Sequence, residues 1–258
     1  MGNSQANSIN QNLTQWATCM ASLNNCHLQG DASLLWYNTN LPHPMYNFGC
    51  NVANDNPADL KACIESFQKS QSPFYFSNGV WHEGKRTSEQ LRNSGADFIG
   101  LIDGMLYDLD KGIPKLEEHP DLKIGVVETE AQYKDFGQVT SLASGQDESI
   151  GPKFFSKFEN LKNAPLTLLV SYIEDKPVGC SMIYTPEGDT AGNYWAWVLP
   201  EYRKQGINSA MVVKRMQMAK DAGYKYLVAQ CMDTSTRLYS RLSFEKICEL
   251  DMYGKVSY

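Results

Sequence analysis

The residues best placed to do chemistry lie together in Trp195-Ala196-Trp197-Val198-Leu199-Pro200-Glu201-Tyr202-Arg203-Lys204-Gln205-Gly206-Ile207-Asn208-Ser209-Ala210. An apolar, aromatic strand runs into a tight loop, and the loop opens a long amphipathic helix. The first amides of a helix have no partner inside it, and the aligned peptide dipoles add partial positive charge, so such a corner holds an anion. Gly206 has no Cβ to keep a phosphate away from the backbone. Arg203 and Lys204 put two cations at this corner of a chain whose formal net charge is -6. These residue types, in this order, are suited to cradling a diphosphate.

A second segment, Leu238-Tyr239-Ser240-Arg241-Leu242-Ser243-Phe244, follows at the end of the next helix. Together the two segments resemble the GNAT superfamily of N-acetyltransferases. That family's coenzyme loop reads Gln/Arg-x-x-Gly-x-Gly/Ala, here Arg203 to Asn208. Its later signature reads Leu-Tyr-x-x-Leu-Gly-Phe, and Pro200-Glu201-Tyr202 stands where it has Pro-x-Tyr. The resemblance runs from about Lys123 to Tyr253, with two motifs in order on the expected elements. Asn208 replaces the usual Gly or Ala, which crowds the first helical turn, and Ser243 replaces a Gly.

The resemblance implies acetyl-coenzyme A as cosubstrate, held by Arg203, Lys204, Gln205, Gly206, Ile207, Asn208 and Ser209. The backbone of Ala196, Trp197 and Val198 would pair with the pantetheine arm, and a main-chain N–H near Val198 would face the developing oxyanion. Tyr239 takes the place of the general acid. A tyrosine with pKa near 10 stays protonated beside a departing thiol of pKa about 8.5 and can donate to it. The acceptor is a primary amine, small molecule or peptide, which must lose its proton. The strand Gly192–Val198 has no carboxylate for that task, so Asp233, Glu201 and a relayed water all remain open. The rival reading is a catalytically inactive sensor or scaffold that binds acetyl-coenzyme A. A longer acyl donor, or a tandem-domain transferase using charged transfer RNA, is a further alternative.

The elements that must position these residues read as strands at Lys123–Glu128, Leu166–Ile173, Val178–Tyr184, Gly192–Val198, Tyr226–Gln230 and Glu245–Tyr253. Helices are expected at Glu130–Leu142, Gly151–Leu161, Gly206–Ala222 and Ser235–Leu242, the third with Val212, Val213, Met216 and Ala219 as its apolar stripe. Upstream, the pattern predicts a helix over Ser8–Asn24 and extended runs at Ser33–Tyr37 and Met45–Val52. A helix opening at Pro57 with Leu60, Ile64 and Phe67 on one face comes next. A strand at Pro73–Ser77, a short helix around Glu89–Asn93 ending at Gly95, and a strand at Met105–Leu109 complete that half. The pattern dissolves between Asp110 and Leu122. The expected fold is α+β, an α/β sandwich of two GNAT-like units, with a mixed, mostly antiparallel sheet flanked by helices. Residues 1–119 are the degenerate unit and 120–258 the catalytic one. At its own strand-to-helix junction the first half carries Asn54-Asp55-Asn56-Pro57, which repels phosphate, so only a scaffold or a wall for the cleft is expected there.

Composition bounds the rest. With 42% hydrophobic and 20% charged residues, the chain reads as globular, without the signature of disorder. Its acidic balance and lack of a long basic cluster argue against nucleic acid as a partner. No apolar run reaches membrane-spanning length, and the polar start carries Ala6 where a myristoylation signal needs Ser or Thr. Seven scattered cysteines without a C-x-x-C pair, and His27, His43, His82 and His119 dispersed through the first half, offer no metal set. The expectation is a cytoplasmic protein, monomer or homodimer, with reduced thiols and no metal.

Overall fold

The computed structural model describes residues 2–24, 26–31, 33–52, 54, 56–79, 85–117, 119–155 and 163–256. The first half runs α1 (Gly2–Leu23), β1 (Gln29–Gly30), β2 (Leu34–Tyr37), β3 (Phe48–Asn51), α2 (Pro57–Lys69), β4 (Phe74–Asn78), α3 (Lys85–Asn93) and β5 (Asp97–Asp108). The second runs β6 (Leu122–Val126), α4 (Glu130–Ala143), α5 (Ile150–Phe155), β7 (Leu166–Ile173), β8 (Lys176–Tyr184), β9 (Thr190–Val198), α6 (Ile207–Asp221), β10 (Tyr226–Cys231), α7 (Asp233–Arg241) and β11 (Glu245–Lys255). By packing, the chain forms two compact units. One comprises Met1–Met105, Cys231–Thr236 and Lys246–Tyr258; the other Leu106–Gln230 and Arg237–Glu245.

In the first unit the strand order is β1-β2-β3-β4-β11-β5. The closing strand of the sequence therefore pairs here, antiparallel to β4 from Asp251–Asn78 to Lys255–Phe74. β3 and β4 run parallel because α2 carries the chain back between them. Asn56 caps α2, and Pro57, which lacks an N–H, sits in its first turn. Leu60, Cys63, Ile64 and Phe67 face inward at helical spacing and join Leu34, Trp36, Phe74, Phe76, Leu91 and Tyr253 in one apolar core. Phe67 stacks on Phe74 at 4.5 Å. Two expectations shift. Pro44–Tyr46 forms a 3-10 turn before the strand, and the last strand of this half starts at Asp97.

In the second unit the order is β10-β9-β8-β7-β6, all antiparallel except the β9–β10 pair. β7 and β8 form a hairpin, and α6 returns the chain so that β10 lies parallel to β9. A capping box starts α4: the Thr129 side chain takes the Gln132 amide while the Gln132 side chain takes the Thr129 amide. α4 and α6 cover opposite faces of the sheet. Thr140 Oγ1 of α4 lies 3.4 Å from Cys180 Sγ. A Cβ built on the neighbouring Gly179 would meet Ile207 and Met211 of α6 at 3.3 Å. The inward stripe of α6 is Ile207, Met211, Val212, Arg215, Met216 and Ala219. Val213, expected in that stripe, is only half-buried, and a charged residue stands in the row instead. Of the expected helix Gly151–Leu161, residues 156–161 lie outside the described residues. No helix among the described residues is long and apolar enough to cross a membrane.

Candidate functional site

The strand that enters the loop is irregular where it counts. Along the β8–β9 ladder Met182 faces Tyr194 and Cys180 faces Trp197, so Trp195 and Ala196 stand together opposite Ser181. This is a β-bulge, and Trp195 holds a backbone φ of 55° that non-glycine residues rarely adopt. The bulge overrides the simple alternation that Tyr194 to Trp197 suggest in sequence. Trp195 packs on Phe154 at 5.3 Å and Phe155 at 5.5 Å, both from α5. On its other edge β9 pairs with β10 only from Thr190–Tyr226 to Asn193–Ala229. Beyond that rung β9 continues through Tyr194, Trp195, Ala196, Trp197 and Val198 without a β10 partner. An extended amide-bearing ligand can pair with a strand edge left in this state.

Two buried amides mark the same place. Among the described residues, Asn193, 5% exposed, has no hydrogen-bond partner for either side-chain atom, and Gln230 Nε2, one residue past the last rung, has none either. Buried groups of this kind are rare unless a ligand or water serves them. Neither stood out in sequence, because an amide in a strand has no motif.

After a 3-10 turn at Pro200–Tyr202, Lys204 and Gly206 both take positive φ, 64° and 81°. Gly206 is the N-cap of α6 in a left-handed conformation, with no side chain capping the helix. The first amide that bonds back is Ala210, to Gly206 O at 3.0 Å. The amides of Ile207, Asn208 and Ser209 find no acceptor among the described residues. A Cβ on Gly206 would meet nothing within 4 Å among the described residues. Asn208 Oδ1 is buried without a partner among the described residues. Three unmade amide bonds, an open glycine face and an orphaned amide side chain together fit a diphosphate.

The two cations differ. Lys204 is exposed and enters no ion pair among the described residues. Arg203 turns back on the protein, its Nε donating to Val198 O at 3.1 Å and Nη2 to Ala143 O at 3.0 Å. Gln205 is also engaged, through Nε2 to Glu201 O at 3.2 Å.

Tyr239 lies on the inward side of α7, 4% exposed, its ring edge-on to Phe244 at 4.9 Å. Its carbonyl takes the amides of Leu242 and Phe244, both at 3.0 Å, and so ends the helix. Glu201 and Asp233 are exposed. The Cys180 thiol is pushed up to about 12, chiefly by burial, which keeps it protonated and unreactive. Cys231 is likewise buried.

Comparison with known proteins fits this geometry. Residues 133–244 match the acetyltransferase (GNAT) family, a span that includes the bulge, the loop and Tyr239. Those residues form a GNAT domain. Solved GNAT structures extend the likeness over most of the chain. A GCN5-related N-acetyltransferase from Kribbella flavida shares 12% identity, with 94% of this chain and 95% of that one covered at a TM-score of 0.63. A second, from Sphaerobacter thermophilus, shares 12% over 88% of this chain and 78% of the other, at 0.59. A tandem GNAT protein from the clavulanic acid biosynthesis pathway shares 11% over 86% and 78%, at 0.56. At such identities the likeness establishes the GNAT fold alone. No curated protein matches the chain in sequence.

Proposed function

We propose that this protein is an acetyl-coenzyme A-dependent N-acetyltransferase acting on a primary amine, with its chemistry in residues 120–258 and a supporting role for residues 1–119. The observation that carries this is the corner at Gly206, where, among the described residues, three helix amides lack acceptors and nothing lies within 4 Å of where a side chain would start. There Gly206, Ile207, Asn208 and Ser209 receive the diphosphate through backbone N–H groups, and Lys204 adds charge. Arg203 and Gln205 shape the loop through the carbonyls they already hold. The free edge of β9 at Ala196, Trp197 and Val198 pairs with the amides of the pantetheine arm.

Transfer then needs three things from the chain. The amine nitrogen attacks the thioester carbonyl carbon, forming the C–N bond and pushing charge onto oxygen, which a main-chain N–H near Val198 stabilises. As the C–S bond breaks, the Tyr239 hydroxyl gives its proton to the departing sulfur. Water or an exposed carboxylate such as Glu201 takes the proton that the nitrogen sheds.

Release of free coenzyme A from acetyl-coenzyme A, followed over a panel of small amines and peptides, tests the reading. Amine-dependent release supports an enzyme. Heat of binding in calorimetry with no release for any amine would instead make the protein an acetyl-coenzyme A sensor. No heat at all would remove the coenzyme from the assignment.

A further inference from the structure

Arg215 is a fully buried guanidinium in the apolar stripe of α6, at 0% exposure. Its Nε donates to Met211 O, one turn back, at 3.2 Å. Its Nη1 donates to Met182 O at 3.2 Å and to Tyr194 O at 3.4 Å. Met182 and Tyr194 are the register pair that flanks the bulge in β9. A bulge interrupts the ladder and leaves main-chain groups to be satisfied from elsewhere. Here one planar guanidinium, rooted on its own helix, serves both carbonyls. Lysine, with all its donors on one flexible nitrogen, cannot hold those carbonyls while a second, rigidly placed N–H anchors it to Met211 O.

The other end of the same segment is tied in the same way, since Arg203 links Val198 O to Ala143 O at the end of α4. Between the two arginines lie Trp195, Ala196 and Trp197. A φ of 55° at a tryptophan persists only where its surroundings impose it. Phe154 and Phe155 press on Trp195 from the α4 face, and Arg215 reaches the bulge from the α6 face.

We propose that Arg215 and Arg203 are positioning residues that bracket Tyr194–Val198, fixing its peptide planes before the acyl-coenzyme A arrives. This rests on the reading that the segment pairs with the pantetheine arm. Neither arginine touches the thioester in this scheme. Arg203 thereby changes role, from a cation for the diphosphate to a clamp on the strand.

The test uses Arg215→Lys, Arg215→Met and Arg203→Gln in the full chain. The probes are acetyl-coenzyme A and its nucleotide end alone, 3′-phosphoadenosine 5′-diphosphate. Misplacement of a reacting group by an ångström costs up to about 100-fold, so kcat should fall about 10-fold or more in Arg215→Lys and Arg203→Gln. Affinity for acetyl-coenzyme A should drop while that for the nucleotide end stays within about 3-fold. Amide hydrogen exchange across 194–198, without ligand, should quicken in the variants. Unchanged exchange in that segment overturns the proposal. So does an equal loss of affinity for the nucleotide end in Arg203→Gln, which would return Arg203 to the diphosphate. If the Arg215 variants do not fold, Arg203→Gln carries the test, because its side chain lies on the surface loop. If the wild-type chain binds no coenzyme, the functional reading falls, and the bracket is judged on exchange alone.

Discussion

Two strand-to-helix junctions in this chain have the same topology and opposite chemistry. β3 leads through α2 to a parallel β4, and β9 leads through α6 to a parallel β10. At the first junction side chains consume the amides. Asn51 Oδ1 takes the Asn54 amide at 2.8 Å, Asn54 Oδ1 the Asn56 amide at 2.8 Å, and Asn56 Oδ1 the Ala58 amide at 3.0 Å. Pro57 has no amide to offer, and Asp59 adds negative charge in the first turn. At the second junction Gly206 offers no side chain, and the amides of Ile207, Asn208 and Ser209 stay open. The strands differ likewise: β3 pairs with β4 along all four of its residues, whereas the β9–β10 ladder stops at Asn193. One arrangement is finished in itself. The other leaves its amides and its strand edge open among the described residues.

The helices that follow repeat the contrast. α3 ends as the Ala96 amide bonds to Leu91 O at 3.1 Å, and α7 ends as the Phe244 amide bonds to Tyr239 O at 3.0 Å. Leu91 and Tyr239 thus hold equivalent places, both buried, but only one carries a hydroxyl. The largest effect should come from removing it. Tyr239→Phe keeps the ring against Phe244 and should lower kcat about 100-fold with KM nearly unchanged. Steady-state kinetics with a competent amine reads this. An unaltered kcat would make Tyr239 a core residue, like Leu91.

The next effect falls on the junctions themselves. Gly206→Asn puts a side chain into the open corner while tolerating the left-handed backbone. Affinity for acetyl-coenzyme A should weaken by about 10- to 100-fold, the cost of one or two charge-assisted hydrogen bonds. The thermal midpoint should barely move. Equal binding by calorimetry would show that the diphosphate lies elsewhere. Asn56→Ala is the mirror experiment. It should cost about 1 kcal/mol of stability through the lost cap, read by denaturant unfolding, and leave coenzyme affinity untouched.

Much of this was legible in the sequence, for physical reasons. Helix starts announce themselves chemically, so Pro57 and Gly206 each marked a junction. Strands buried on both faces read as apolar runs, and β7 was bounded to the residue. The bulge was not legible. It depends on how β8 and β9 fall into register, and Trp195 alone looks like any strand aromatic. Arg215 was missed for a related reason: helical periodicity assigns charge to the outside, and only the carbonyls stranded by the bulge draw it in. Arg203 was read by its charge, where its position between two main-chain carbonyls decides what it holds. The path of β11 into the first unit also escaped, since strand order is set by long-range pairing and not by local pattern.

The smallest effect concerns the turn that ends each of those two helices. Gly95 holds φ 88° after α3, and a Cβ there would meet Gln68 Nε2 at 2.6 Å. The equivalent residue after α7 is Ser243, exposed and held at φ 66°. An L residue in this conformation costs about 1 kcal/mol or more, offset in part because glycine loses more entropy on folding. Ser243→Gly should therefore stabilise the protein by about 0.5–1 kcal/mol, whereas Gly95→Ser should destabilise it by more than that, through strain and the Gln68 contact together. Denaturant midpoints of the two variants measure the difference. Neither side chain takes part in the proposed transfer, so turnover per folded molecule should stay at the wild-type value in both. A fall in kcat in Ser243→Gly would mean that the strained serine helps hold Tyr239 in place, and the sequence departure at that position would then be a functional one.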